Sequence, residues 1–180
     1  NVSRNEQETE AVDESQTTET ENKITLDASG NAAAGDQSTE NKTAEPSTLD
    51  ELFGGENLSV TYTGAEIAAN YMEGGYYSLD AEQGKTFVIV GIDITNSGAD
   101  EIAIDNFAKT PKFSVMVNGQ EKAEEENTIL PSDFALYQET VPAGVTENTI
   151  LLFQVPDSVT SVDSLDLFVN ISGTNYQITL

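Results

Sequence analysis

Three features of this chain predict an all-β fold of the sandwich or barrel class. Runs of β-branched and aromatic residues recur from Leu58 to the end, at spacings of roughly 8–15 residues. Asn, Gly, Pro and Asp punctuate them, and helical periodicity is almost absent between them. The run 86–96 places Val88, Val90, Ile92 and Ile94 on one face at period two. Its other face, Phe87, Ile89, Gly91 and Asp93, begins apolar and turns polar. A strand buried throughout on one face and only at its start on the other belongs at the centre of a two-layer β structure.

The elements follow in order. Residues 1–46 are rich in Glu, Thr, Ser, Asn, Gln and Ala, with Val2, Val12, Ile24 and Leu26 as the only large aliphatics. Such a segment buries too little surface to offset chain ordering, so we expect an acidic, disordered linker, with the domain spanning 47–180. Thr-Glu-Asn-Lys occurs at 20–23 and again at 39–42, which reads as low complexity. Residues 47–53 suit one helical turn with Ser47 as N-cap, ended by Gly54-Gly55. Residues 58–63 alternate as a strand, 64–72 suit either a strand or a short helix, and 76–79 suit an edge piece. The central strand turns at Asn96-Ser97-Gly98 into 101–105. Residues 113–117 precede Asn118-Gly119, the strongest short hairpin signal in the chain. The acidic return, 120–126, is expected as an exposed edge strand whose charges discourage aggregation. Further strands are expected at 134–137, 149–155, 164–171 and 176–180, giving about eight or nine in all.

Three landmarks within this pattern are a central strand ending in Asn96, a Pro-x-Gly turn at Pro142 and Gly144, and a strand closing on Phe153-Gln154-Val155-Pro156. Together they resemble the immunoglobulin-like (telokin-like) domain of unknown function found in surface lipoproteins of Gram-positive bacteria, over residues 57–180. The resemblance implies an antiparallel immunoglobulin-like β-sandwich and a lipid-modified Cys upstream of a polar tail. It brings no catalytic residues. A Gly often found before the family's Phe-x-Val-Pro strand is replaced here by 146–149, Thr-Glu-Asn-Thr.

Charge narrows the function classes. Seven Lys plus Arg stand against 32 Asp plus Glu, a net charge of −25. Such a surface repels nucleic acid and anionic membrane. The chain has no Cys, His or Trp, so thiol chemistry, zinc–thiolate sites and the commonest general base are missing. No apolar run approaches the roughly 20 residues that span a bilayer. The start at Asn1 rather than Met leads us to expect something upstream, a secretion signal or a trimmed stretch.

Each candidate site has a plain structural alternative. Glu121, Glu124, Glu125 and Glu126 supply hard oxygen ligands for calcium, or else a solvated hairpin edge. Tyr71, Tyr76 and Tyr77, beside Gly74-Gly75, suit an aromatic platform for a sugar or protein, or a half-buried strand. Asp93, Asp105 and Asn106 suit a cluster at one end of the sandwich, or turn networks. Asp27, Ser29 and Asn31 have calcium-loop spacing, but Ala32 and Ser38 stand where Gly and Glu belong. Asn57-Leu58-Ser59 and Asn170-Ile171-Ser172 fit the glycosylation pattern, which carries little weight in a bacterial protein. No Ser-x-x-Lys, Gly-x-Ser-x-Gly or phosphate loop occurs. The expectation is a non-catalytic, lipid-anchored extracellular module, needing no cofactor and acting as a binding or spacer domain. Its partner would be a protein or glycan at the cell surface, with weak calcium association, and the linker would reach roughly 35–40 Å. The alternative is a small-ligand or calcium-binding surface protein using acidic loops.

Overall fold

The computed structural model describes residues 44–180. The expected linker (apart from 44–46), the Thr-Glu-Asn-Lys pair and the Asp27, Ser29, Asn31 spacing lie outside the described residues. A short strand β1 (Glu45–Pro46) and a helical turn α1 (Leu49–Phe53) lead into β2 (Leu58–Ala68), β3 (Asn70–Glu73), β4 (Tyr77–Asp80) and β5 (Lys85–Asn96). The chain continues through β6 (Ile102–Ala103), a 3-10 turn (Phe107–Lys109), β7 (Lys112–Val117), β8 (Ala123–Glu124) and β9 (Thr140–Val141). It ends with β10 (Thr146–Pro156), β11 (Leu165–Ile171) and β12 (Thr174–Thr179). Eight of these strands have four or more residues, and the other four are two-residue pairings.

The architecture is a β-sandwich. One sheet has the order β10-β5-β2 and the other β1-β12-β11-β7-β8, with every pairing antiparallel except β1 with β12. The sandwich thus takes in Glu45 and Pro46, two residues that composition assigns to the linker.

The period-two pattern of β5 explains its place. Val88, Val90, Ile92 and Ile94 are all buried against Phe113, Val115, Leu167 and Val169 of the facing sheet's inner side, within one large apolar cluster. Phe87 and Ile89, on the opposite face, join Leu130 and Leu152 in a second, smaller cluster covered by Tyr71 and Leu79 of the β3–β4 hairpin. The stretch 64–72 is therefore strand, with no helix. β2 bulges between Tyr62 and Gly64, and a Cβ at Gly91 would collide with the hydroxyl of Thr63, the extra residue at that bulge.

Two local expectations change. Thr48, not Ser47, is the N-cap of α1, because the reciprocal box needs Glu three residues on. Thr48 Oγ1 accepts from Glu51 N at 3.1 Å, and Glu51 Oε2 accepts from Thr48 N at 2.9 Å. Residues 134–137 form a buried turn and not a strand. The Asp133 carboxylate takes the Ala135 N–H at 3.0 Å, a local bond that replaces a ladder partner. Phe134 still anchors the core, packed edge-on to Phe53 with ring centroids 4.9 Å apart.

Asn118-Gly119 makes the expected tight turn, with both residues at positive φ and Gln120 N donating to Val117 O. The return is not a regular edge strand. After two residues paired to β7 it leaves that sheet and crosses to the other. Glu125 N donates to Phe113 O on β7, while Glu126 N donates to Leu152 O on β10. Ile150 N then donates to Ser132 O and Phe134 N to Ile150 O. Residues 123–134 thus close the open side of the sandwich between β7 and β10.

Candidate functional site

The structure does not gather the four glutamates of the acidic return. Glu124 faces out from the five-stranded sheet beside Lys112 and Lys122. Glu121 lies near Lys85, Val117 and Pro156, and Glu126 near Leu79, Asp80 and Thr128. Glu125 turns inward and is half-buried, so the expectation of a uniformly solvated edge is corrected there. Crossing between sheets rotates this residue toward the interior. Among the described residues, no three acidic side chains converge as a metal would require.

Glu125 meets Asp133, which is 5% exposed. Asp133 accepts from Thr128 Oγ1 at 2.5 Å and Ala135 N at 3.0 Å. Burial first, and then the neighbouring Asp133 carboxylate, push Glu125 up to about 9, with the Phe113 backbone amide opposing. Burial also raises Asp133, opposed first by the Thr128 hydroxyl and then by backbone amides.

The tyrosines also separate. Tyr71 packs into the second apolar cluster, and its hydroxyl approaches Glu73 and Ser132, each at 3.5 Å. Glu73 fastens the hairpin by accepting from Ser132 Oγ at 2.5 Å and Ser132 N at 3.2 Å. Tyr76 stands at the hairpin tip, 92% exposed, and Tyr77 lies opposite Glu73. Asp93 accepts from Asn148 Nδ2 on the neighbouring strand. Asp105 and Asn106 belong to a separate turn network that holds Ala108, Gln138 and the Phe134 carbonyl. These three do not form one cluster.

A broad concavity lies on a face that sequence reasoning touched only through Glu124 and Asn170. It is a groove of about 700 Å³ on the outer face of the five-stranded sheet. Strand register builds it in rows: Lys112 with Asn170 and Asn175, then Ser114 with Phe168 and Gln177. Lys122 and Glu124 rise along the β8 side, with the Lys122 ammonium 3.3 Å from the Phe168 ring centroid. Asn170 is committed, donating to Asn175 Oδ1 at 2.7 Å and accepting from Gly173 N. Two of the four described lysines line this groove, and the one ion pair among described residues is Lys85–Glu82, elsewhere. The signal was present in sequence as polar residues alternating with the core residues of β7, β11 and β12. A polar outer face carries no mark of concavity, which only the register supplies.

No protein-family model matches this chain, and no curated protein does. It is similar to an uncharacterized β-sandwich protein from Clostridium difficile 630, at 18% identity and a TM-score of 0.44, covering 70% of this chain and 87% of that one. A conserved hypothetical protein from Bacillus anthracis is similar at 10% identity and TM-score 0.39, covering 68% and 88%. A Bacillus subtilis protein proposed to be a lipoprotein is similar at 11% identity and TM-score 0.37, covering 68% of this chain and 36% of that one. Nothing about this chain's role follows from these likenesses.

Proposed function

We propose that this chain is a non-catalytic binding module of the bacterial cell surface. In this reading it is an immunoglobulin-like sandwich carried outward by the polar residues 1–43 from a lipid anchor upstream. The outer face of the five-stranded sheet is its ligand face. The observation that carries the reading is the groove with Lys112 and Lys122 on an otherwise acidic chain. Asn175, Gln177 and Ser114 offer amide and hydroxyl groups suited to sugar hydroxyls, and the two ammonium groups suit carboxylates. The ligand class is therefore a carboxylate-bearing saccharide. The non-catalytic reading is supported by the dispersal of the acidic side chains, since paired acid–base work needs two carboxylates facing one cleft.

Calorimetric titration with oligogalacturonate tests this. Binding should weaken as salt rises from 50 to 300 mM, because exposed charges are screened within about 8–10 Å. Lys112→Glu with Lys122→Glu should abolish it while the domain still unfolds cooperatively, with a melting temperature lowered only by the lost Lys122–Phe168 contact. Equal binding of a neutral oligosaccharide, or binding indifferent to both substitutions, would overturn the reading.

A further inference from the structure

The residues that line the groove on the five-stranded sheet include one aromatic ring, that of Phe168. Leu167 and Val169 take the inward positions of β11, so alternation sends Phe168 outward, half-buried. Across the ladder it faces Ser114 on β7 and Gln177 on β12, and Ser114 in turn faces Glu124 on β8. Ser114 is too short to shield the ring. The exposed Lys122 reaches over it instead, with its ammonium 3.3 Å from the ring centroid. That ammonium has no ion-pair partner among the described residues, although Glu124 lines the same groove. We propose that Lys122 is the selectivity gate of the groove. It covers the Phe168 ring against neutral sugars and swings onto the carboxylate of an acidic one, whose pyranose ring then stacks on Phe168. The inference rests on the ligand class proposed above and adds to it the stacking surface and the residue that discriminates.

The face of an aromatic ring is electron-rich. It attracts an ammonium or the weakly positive C–H groups of a pyranose, but the same face cannot hold both at once. A neutral sugar has to displace the ammonium with no charge to offer it in return. A uronic acid carries its carboxylate on the same ring that presents the C–H face. It therefore exchanges the ammonium's aromatic contact for a charge-assisted hydrogen bond and takes the vacated ring. Discrimination comes from the difference between these two exchanges. The lysine stem is flexible and its head stays in water in either position, so the move needs no change in the sheet. Lys112 stands on β7 two residues from Ser114, roughly 7 Å along the strand, and attracts carboxylates whichever way Lys122 points.

Proton NMR of the wild-type chain reads the gate without any variant. The ring current of Phe168 should hold the Lys122 methylene beside the ammonium upfield of the ordinary lysine position in the free protein. Trigalacturonate should move that resonance back toward the ordinary position, and galactotriose, its neutral counterpart, should leave it where it is. A Lys122 resonance at the ordinary position before any sugar is added would overturn the gate. So would one that stays upfield when the protein is saturated with trigalacturonate.

Calorimetric titration of the full chain with the same two sugars supplies the second test. Wild-type protein should bind trigalacturonate and give no measurable heat with galactotriose. Lys122→Ala uncovers the ring and removes the charge. It should gain galactotriose binding and lose affinity for trigalacturonate, narrowing the preference by about tenfold or more. Phe168→Leu should weaken trigalacturonate binding about fivefold, the worth of one aromatic contact. Combined with Lys122→Ala, it should cancel the gain for galactotriose. If trigalacturonate binds but Lys122→Ala gains nothing for the neutral sugar, or Phe168→Leu binds as wild type does, the gate is overturned and the groove remains a carboxylate site. If wild-type protein does not bind trigalacturonate, the ligand class proposed for the groove falls, and the gate with it.

Discussion

Phe153 and Gly91 show the two ways in which one residue is fixed by the fold. Phe153 is fully buried on β10 opposite Val88, on the continuous apolar face of its strand. Phe153→Ala should cost about 3–5 kcal/mol, enough to unfold a domain of ordinary stability. Chemical denaturation checks this, with a midpoint shift in that range expected. Gly91 is fixed from outside, by the Thr63 hydroxyl. Gly91→Ala should lower the melting temperature, and adding Thr63→Ala should restore much of the loss, because the second change removes the atom in the way. The buried positions of β5 were legible in sequence, since period two with β-branched residues reports a face directly. The facing of Glu125 was not, because its side follows from a chain that changes sheets, and one residue of rotation reverses a side chain's direction.

At the scale of elements, the N-terminal turn shows where local rules suffice. The Thr48–Glu51 box satisfies two amides at the start of α1, and Ser47 also donates to Glu51 at 3.0 Å. These bonds, the Ser47 one foremost, hold Glu51 below the ordinary carboxylate range. Thr48→Ala should destabilise the domain by about 1 kcal/mol, read as a small, uniform shift of the unfolding curve. The Asn118-Gly119 hairpin was equally legible, as the turn chemistry demands positive φ at both positions. Residues 134–137 were misread because strand propensity speaks for Phe134 and Tyr137 while the deciding bond comes from Asp133, outside the window. The hairpin β3–β4 was legible only in part: Gly74-Gly75 marked its turn and 76–79 its second strand, while 64–72 suited a strand or a short helix. Its attachment through Glu73 to Ser132, 59 residues away, was not.

For the whole molecule, net charge pointed away from anionic ligands, and the fold qualifies that inference. The described lysines are few, yet register brings Lys112 and Lys122 to one groove together with Asn175 and Gln177. A total charge sums over a surface that a ligand never meets at once, and at physiological salt only charges within about 8 Å of it matter. The three tyrosines point apart, and the acidic return reaches the groove only through Lys122 and Glu124. Backbone amide NMR titrated with oligogalacturonate tests whether this groove is the ligand face. Shifts concentrated at Ser114, Phe168, Asn175 and Gln177, and lost when Lys112 and Lys122 are reversed, are the predicted result. Shifts centred on Tyr76 and Tyr77, or none at all, would contradict it.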